Sequence, residues 1–565
     1  MIPRVPTLFA VASVALCTFE AEWRSEPWIA QLSSPSPSVA SAGAGAGPDA
    51  SAVPNPHASG LPIEHFMTAA ECAVCHIAAP GASAMKDGDD NDVSPYFTWQ
   101  ASLMANAFRD PYFRAQLEKE SAAAGEAAQE LCLRCHTPLV HHEAKRDGRP
   151  LPRLATAVEE MAADDGVSCT ACHMMSPDKL GEPESYSGLQ SYTDERVIYG
   201  PFDDVLAQPM QSLVAYTPKK GEHIRSSAMC ATCHTLHTEH HGAKFAEQTP
   251  YYEWRNSEFN DEREGHDPDK TRSCQECHMP EVGTMRIARS PMGFDFRGTK
   301  PREGVRSHAF IGGNALMLDL LREHGDELYV EAEPEQFEAL AAATRHQLRH
   351  DTATVAVSEL ARVNGRLDFS IDVQNLTGHK FPTGYPSRRA WLHIEVMVGS
   401  EVVFVSGAHD ASGRLRGVDD ALAIPHVQRI EKPADVQVYE MVAVDAESKA
   451  TTHLTKMVAR QKDNRLLPRG YESLGPHVED IAPKGADGDG DFVGGGDRVA
   501  CSIPLPADAP AGACRVVVRM LYQPVPPRWV DALRDVDGEA ARRFVGYYDA
   551  KPRAPELVAE AERVE

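Results

Sequence analysis

Outside five short repeats, cysteine is nearly absent from this chain. Of 13 cysteines in 565 residues, ten sit in C-x-x-C-H pentapeptides, leaving Cys17, Cys501 and Cys514. Basic residues are in deficit as well, 56 Lys and Arg against 82 Asp and Glu, for a formal charge of −26. That balance argues against nucleic acid and against anionic membrane surfaces as partners, and its simplest use is solubility. Long apolar runs are missing. The one candidate, residues 1–17 with Arg4 followed by a short hydrophobic stretch, is too short to span a bilayer and reads as a secretory signal peptide, so no transmembrane span is expected in the mature protein. Leu16 is too large for the usual lipobox before Cys17, which disfavours a lipid anchor. Residues 18–60 are rich in Ser, Pro, Ala and Gly, with almost no large apolar side chain from 33 onward, and predict a disordered linker.

What is abundant is one motif. CAVCH (72–76), CLRCH (132–136), CTACH (169–173), CATCH (230–234) and CQECH (274–278) recur about once per 50 residues. Composition alone would yield roughly 0.013 such matches. The spacing suits covalent haem c: two thiols form thioethers with the haem vinyl groups, and the next histidine reaches the iron. Cys72, Cys75, Cys132, Cys135, Cys169, Cys172, Cys230, Cys233, Cys274 and Cys277 are thus candidate attachment residues, and His76, His136, His173, His234 and His278 candidate proximal ligands. Zinc pairs need no histidine directly after each pair, and a thioredoxin-like centre needs one motif, not five.

The expected fold is α+β in two domains. Residues 61–350 form a mainly helical and irregular five-haem domain in which porphyrins, more than side chains, supply the buried apolar surface. Legible helices are one started by Asp110-Pro111, a short one at 155–164, one at 313–324 closed by Gly325, and a connector at 334–350. Residues 351–525 switch to period two, with Leu367, Phe369, Ile371 and Val373 alternating with polar residues after an Asn364-Gly365 hairpin turn. Further strands at 391–398, 401–406, 436–444, 498–504 and 514–522 predict an antiparallel β-sandwich. Residues 526–565 read as a C-terminal helical tail. In an exported protein, Cys501 and Cys514 predict a disulfide.

Each iron needs a sixth ligand, and a second His or a Met there gives electron transfer, whereas an open site permits substrate chemistry. Candidate distal ligands are His223, His308, His65, His142 and His379, with His141, His237, His240 and His241 trailing the motifs. Met104 reads first as a core methionine and second as a ligand. His379 lies in the Gly/Pro-punctuated loop 375–389, where Arg388 and Arg389 are candidate propionate partners; the alternative is a purely structural loop. Asp487, Asp489 and Asp491 mimic the first half of a calcium loop, but Arg498 stands where an EF-hand needs Glu.

The stretches DGVSCTACH, AMCATCHT, FAEQTPYYEWRNS and SCQECHMP resemble the multihaem cytochromes c related to the tetrahaem cytochrome of ammonia-oxidising bacteria, the partner of hydroxylamine oxidoreductase. The resemblance covers about 61–320 and implies closely stacked haem pairs, mostly His/His ligated, that relay electrons outside the cytoplasm. Five motifs in place of four, the added β-half, and Met104 where that family often has His are the departures. The leading expectation is an exported, periplasmic or cell-surface pentahaem cytochrome that passes electrons between redox partner proteins, with the β-half docking or shielding. The alternative is a multihaem oxidoreductase acting on a small nitrogen or sulfur compound at a five-coordinate haem, with Tyr251, Tyr252, Lys244 or His241 lining its pocket. A polymer-binding sandwich, the third class, would need exposed aromatics, with Trp391 its single candidate.

Overall fold

The computed structural model describes residues 64–565, apart from 159, 420, 422 and 507–511. The expected signal segment 1–17 and linker 18–60 lie outside them. Short helices carry the motifs: Ala69–His76, Glu126–His136, Cys169–His173 and Cys274–His278 each end on the motif histidine, and Ser227–Ala231 carries Cys230. Helix geometry places residues i and i+3 on one face, so both thiols of a C-x-x-C pair point the same way. Local chemistry starts these helices. Ser273 and Glu276 form a reciprocal capping box (2.7 and 3.3 Å), and the Asp110 carboxylate accepts from the amides of Tyr112 and Phe113 (2.8 and 3.0 Å) at the head of Pro111–Ala124. The expected helix at 155–164 is instead two single turns, Leu154–Ala157 and Met161–Asp164. The connector ends in a π-helical turn, Leu348–Thr352.

The second half is built on two sheets. One pairs Arg389–Val398 with Cys514–Gln523 and carries six strands; the other pairs Arg366–Asn375 with Gly496–Pro504 and carries five. Pairing is antiparallel except for the two-residue Arg429–Ile430 strand. Leu367, Ile371 and Val499 from one sheet and Leu392, Ile394 and Val518 from the other share a single apolar cluster. The Asn364-Gly365 turn forms as expected, with both residues at positive φ (50° and 76°) and Val363 opposite Arg366.

Three expectations need correction. The last residues are not wholly helical: after helices Pro527–Arg534 and Glu539–Asp549, strand Glu556–Val564 adds to the six-stranded sheet beside Cys514–Gln523. Cys501 and Cys514 are buried free thiols on different sheets, so no disulfide joins them. Residues 61–350 also do not lack side-chain cores. Phe108, Leu117 and Leu133 form one small cluster and Tyr186, Tyr251 and Trp254 another. A larger cluster crosses the boundary expected at residue 350, joining Tyr112 and Leu318 to Met441, Trp529 and Phe544. Among the described residues no helix is long and apolar enough to cross a membrane.

Candidate functional site

A cavity of about 2060 Å³ runs through the first half, lined by the cysteines and histidines of the first, third, fourth and fifth motifs. Ordinary small-ligand pockets are about 300–1,000 Å³, so this one has the room of several large flat groups. The second motif abuts it, because the Cys135 sulfur lies beside that of Cys233 in the fourth. Cys72 meets Cys169 and Cys230 meets Cys274 in the same way. The motifs are therefore neighbours in the order first, third, fourth, fifth, with the second branching from the fourth. Burial pushes the thiols of Cys172 and Cys277 up to about 12, so they are neutral S–H groups.

Four of the five motif histidines share one second contact. Nδ1–H of His76 donates to the carbonyl of Ile287 (2.8 Å), that of His136 to Ala107 (2.9 Å), that of His173 to Tyr199 (2.6 Å) and that of His278 to Ile311 (2.5 Å). A carbonyl on Nδ1 fixes the tautomer and leaves the Nε2 lone pair free, which is how metal-binding imidazoles are held. Burial lowers His136 and His234 to about 4, which keeps them neutral.

Two expected distal histidines complete the pattern. The rings of His308 and His173 are 6.2 Å apart and 21° from parallel, and those of His379 and His278 are 6.2 Å apart and 11° from parallel. Nδ1 of His308 lies 3.2 Å from the Arg306 carbonyl and Nδ1 of His379 lies 3.0 Å from that of Lys380. A metal bound to both Nε2 atoms at about 2.0–2.1 Å would separate the ring centres by about 6 Å. The donor set and its spacing thus fit an axially ligated iron at two motifs. His308, His379, Met104 and Arg388 all line the cavity.

The other candidates are placed differently. His223 Nε2 is 3.1 Å from the Met175 carbonyl, His142 Nε2 is 3.3 Å from Gln190 Nε2, and His65 is buried beside Phe66. His240, His241 and Lys244 belong to the hairpin of Leu236–His240 and Ala243–Gln248, and His237 Nε2 lies 3.9 Å from Asp480. Buried His141 has an Nδ1 without a hydrogen-bond partner. Tyr251 lines the cavity, whereas Tyr252 stacks on His477 at 3.8 Å. Arg389 is not a propionate partner: it is fully buried, with Nη2 3.0 Å from Asp419 and Nε 2.9 Å from Gln523. Trp391 is fully buried and donates to the Gly407 carbonyl (2.9 Å), so it offers no exposed platform.

No calcium loop forms at 487–491, where Asp489 is engaged by His426 (2.8 Å) and Asp491 by the amide of Arg498 (3.3 Å). Among the described residues His426, Asp489 and Asp497 are the one trio spaced to share a metal, and no motif cysteine joins such a trio. The trio itself is held against metal. The amides of Gln437 and Asn464, their oxygens taken by the N–H groups of Val427 and Glu440, aim their N–H donors at His426 Nδ1 (2.9 and 3.0 Å). Nε2 must then carry the proton donated to Asp489 and has no lone pair to offer.

No protein-family model and no curated protein matches the sequence. Among solved structures, the chain is similar to the penta-heme cytochrome c552 from Thermochromatium tepidum, at 18% identity and a TM-score of 0.53, over 89% of this chain and 99% of that one. The two share a fold. A share of 89% reaches well past residue 350, so the likeness takes in the sheets as well as the motif-bearing half.

Several positioning residues carry no signal in the motif spacing. The carbonyls of Ala107, Tyr199, Ile287 and Ile311 are backbone atoms that no residue type announces. Asp165 accepts from the Ala69 amide (2.8 Å) to start the first motif helix, and fully buried Glu143 accepts from the amide of His65 (2.9 Å). Both are acids beside motifs, which is the one feature that would have marked them.

Proposed function

We propose that the protein is an exported pentahaem c-type cytochrome that carries electrons between redox partner proteins in the periplasm or at the cell surface. The ten motif cysteines attach five haems, and His76, His136, His173, His234 and His278 are the proximal ligands. His308 is the distal ligand opposite His173, and His379 the one opposite His278. Haem iron with two nitrogen ligands supplies reversible one-electron transfer. The chain's own part is to hold the ligating rings neutral and oriented and to set the motifs side by side. Arg388, on the cavity wall, offsets propionate charge. The paired sheets act as a sandwich that delivers His379.

The observation that carries this reading is the two pairs of facing imidazoles at 6.2 Å, each ring with its Nδ1 beside a backbone carbonyl. The test is the mass and spectrum of the purified protein. Five covalent haems and a predominantly low-spin ferric spectrum are expected; a colourless folded protein, or a high-spin spectrum that responds to hydroxylamine, nitrite or sulfite, overturns it.

A further inference from the structure

Glu253 is fully buried on the short helix Pro250–Arg255, in the motif-bearing half. Its Oε2 accepts from the Lys380 amide at 3.0 Å and from the Thr383 hydroxyl, both in the loop that carries His379. Its Oε1 is ion-paired with Arg465 Nη1 at 3.1 Å, without the direction of a hydrogen bond. Arg465 in turn donates twice to Asp463 (2.8 and 2.9 Å), and Asp463 accepts from Lys380 Nζ at 2.7 Å. The circuit closes through Lys380, which is held at its amide by Glu253 and at its ammonium by Asp463.

That residue also orients the imidazole. The Lys380 carbonyl accepts from His379 Nδ1–H (3.0 Å), and the Asn375 side-chain amide donates to the His379 carbonyl (2.8 Å). On the other flank Gly378 sits so close to the Glu253 helix that a Cβ there would lie 3.1 Å from Trp254. A buried carboxylate is tolerated only when paired and hydrogen-bonded. Here each bond it makes ends on the His379 loop or on the arginine that braces it.

We infer that Glu253 is the positioning residue for His379, a buried carboxylate in one half of the molecule that aims the distal imidazole presented by the other half. The inference rests on the pentahaem reading, with His379 opposite His278. It makes the sheets' contribution specific: the loop reaches the cavity in a fixed pose because Glu253 receives it, and Thr383 is the second anchor point.

The test uses the intact ferric holoprotein, with electron paramagnetic resonance and visible spectra, before and after added imidazole. His379→Gly should convert one haem from low-spin to high-spin, and imidazole should restore it. Glu253→Gln should show the same signature in part, again reversed by imidazole, and Thr383→Val a smaller one with the Arg465 pair intact. Wholly low-spin spectra for Glu253→Gln and Thr383→Val, beside a high-spin His379→Gly, would sink the positioning role and leave the ligand pairing standing. A His379→Gly protein that stays wholly low-spin would sink the ligand pairing itself, and the inference with it. If Glu253→Gln yields no protein, Thr383→Val decides alone.

Discussion

The two halves of the molecule build their interiors in opposite ways. In the motif-bearing half, apolar side chains form small separate clusters around a cavity of about 2060 Å³. In the other half, Leu367, Ile371, Leu392, Ile394, Val516 and Val518 share one continuous cluster between two sheets. Apolar area removed from water stabilises at roughly 25 cal/mol per Å². The sheets therefore carry their own driving force, and on the pentahaem reading the first half would add to its side-chain clusters the apolar surface of the groups attached in its cavity. The seam of Tyr112, Leu318, Trp529 and Phe544 couples the two without making them alike.

The contrast breaks most visibly if attachment is blocked. Cys230 and Cys233 of the CATCH motif touch thiols of the fifth and second motifs, so a Cys230→Ser, Cys233→Ser protein loses the junction of the array. Hydrogen-exchange protection should fall to that of unfolded chain over much of 64–350 and persist in Arg366–Asn375 and Cys514–Gln523. Uniform loss, or uniform retention, would erase the distinction between the halves.

A second effect, smaller, separates them by pH. Burial pushes the Asp165 carboxyl up from 3.8 to about 6, with no cation bonded to it. Its folded value is raised, so it favours the fold below about 4 and loses that contribution as pH rises to about 6. Glu440 behaves oppositely. Burial would raise it, but Arg528, Lys462 and Arg389 outweigh burial and hold it near 2, against an ordinary 4.5. Its contribution is full above 4.5 and lost as pH falls toward 2. Each is worth roughly 3 kcal/mol across its window. Denaturant midpoints followed across pH should lose the rise-of-pH decline in Asp165→Asn and the acid decline in Glu440→Gln. Identical pH profiles for both variants and the parent protein would refute the assignment.

These same contrasts explain what was legible in the sequence. Local chemistry was: the thiol spacing, the Asp110 cap, the Asn364-Gly365 turn and the period-two strands all act within a few residues. Of the expected distal histidines, His308 and His379 face motif histidines because segments 135 and 101 residues away in the chain fold against them. Such distances leave no periodic trace. Arg389 misled for the same reason: an arginine beside a Gly/Pro loop resembles a propionate partner until Asp419, 30 residues on, is seen to hold it. The free Cys501 and Cys514 mislead through topology, since adjacent strands in sequence belong to different sheets.

The finest comparison is between two glycines at positive φ. Gly365, in the β-half, has φ of 76° and nothing within 4 Å of a built Cβ. Gly365→Ala therefore meets only the left-handed backbone penalty, about 1–2 kcal/mol, and should leave the haem spectra untouched. Gly166, in the motif half, has φ of 54° and a built Cβ 2.6 Å from the Met104 carbonyl, which accepts from the Val167 amide at 2.9 Å. Alanine there carries the same backbone penalty and also drives a methyl into backbone, with overpacking adding about 1–3 kcal/mol. Because Met104 lines the cavity, the clash is transmitted to it. Gly166→Ala should lower the denaturation midpoint further than Gly365→Ala and, unlike it, shift the visible spectrum. Equal losses with unchanged spectra in both would show that the motif half tolerates local displacement as readily as an open hairpin turn does.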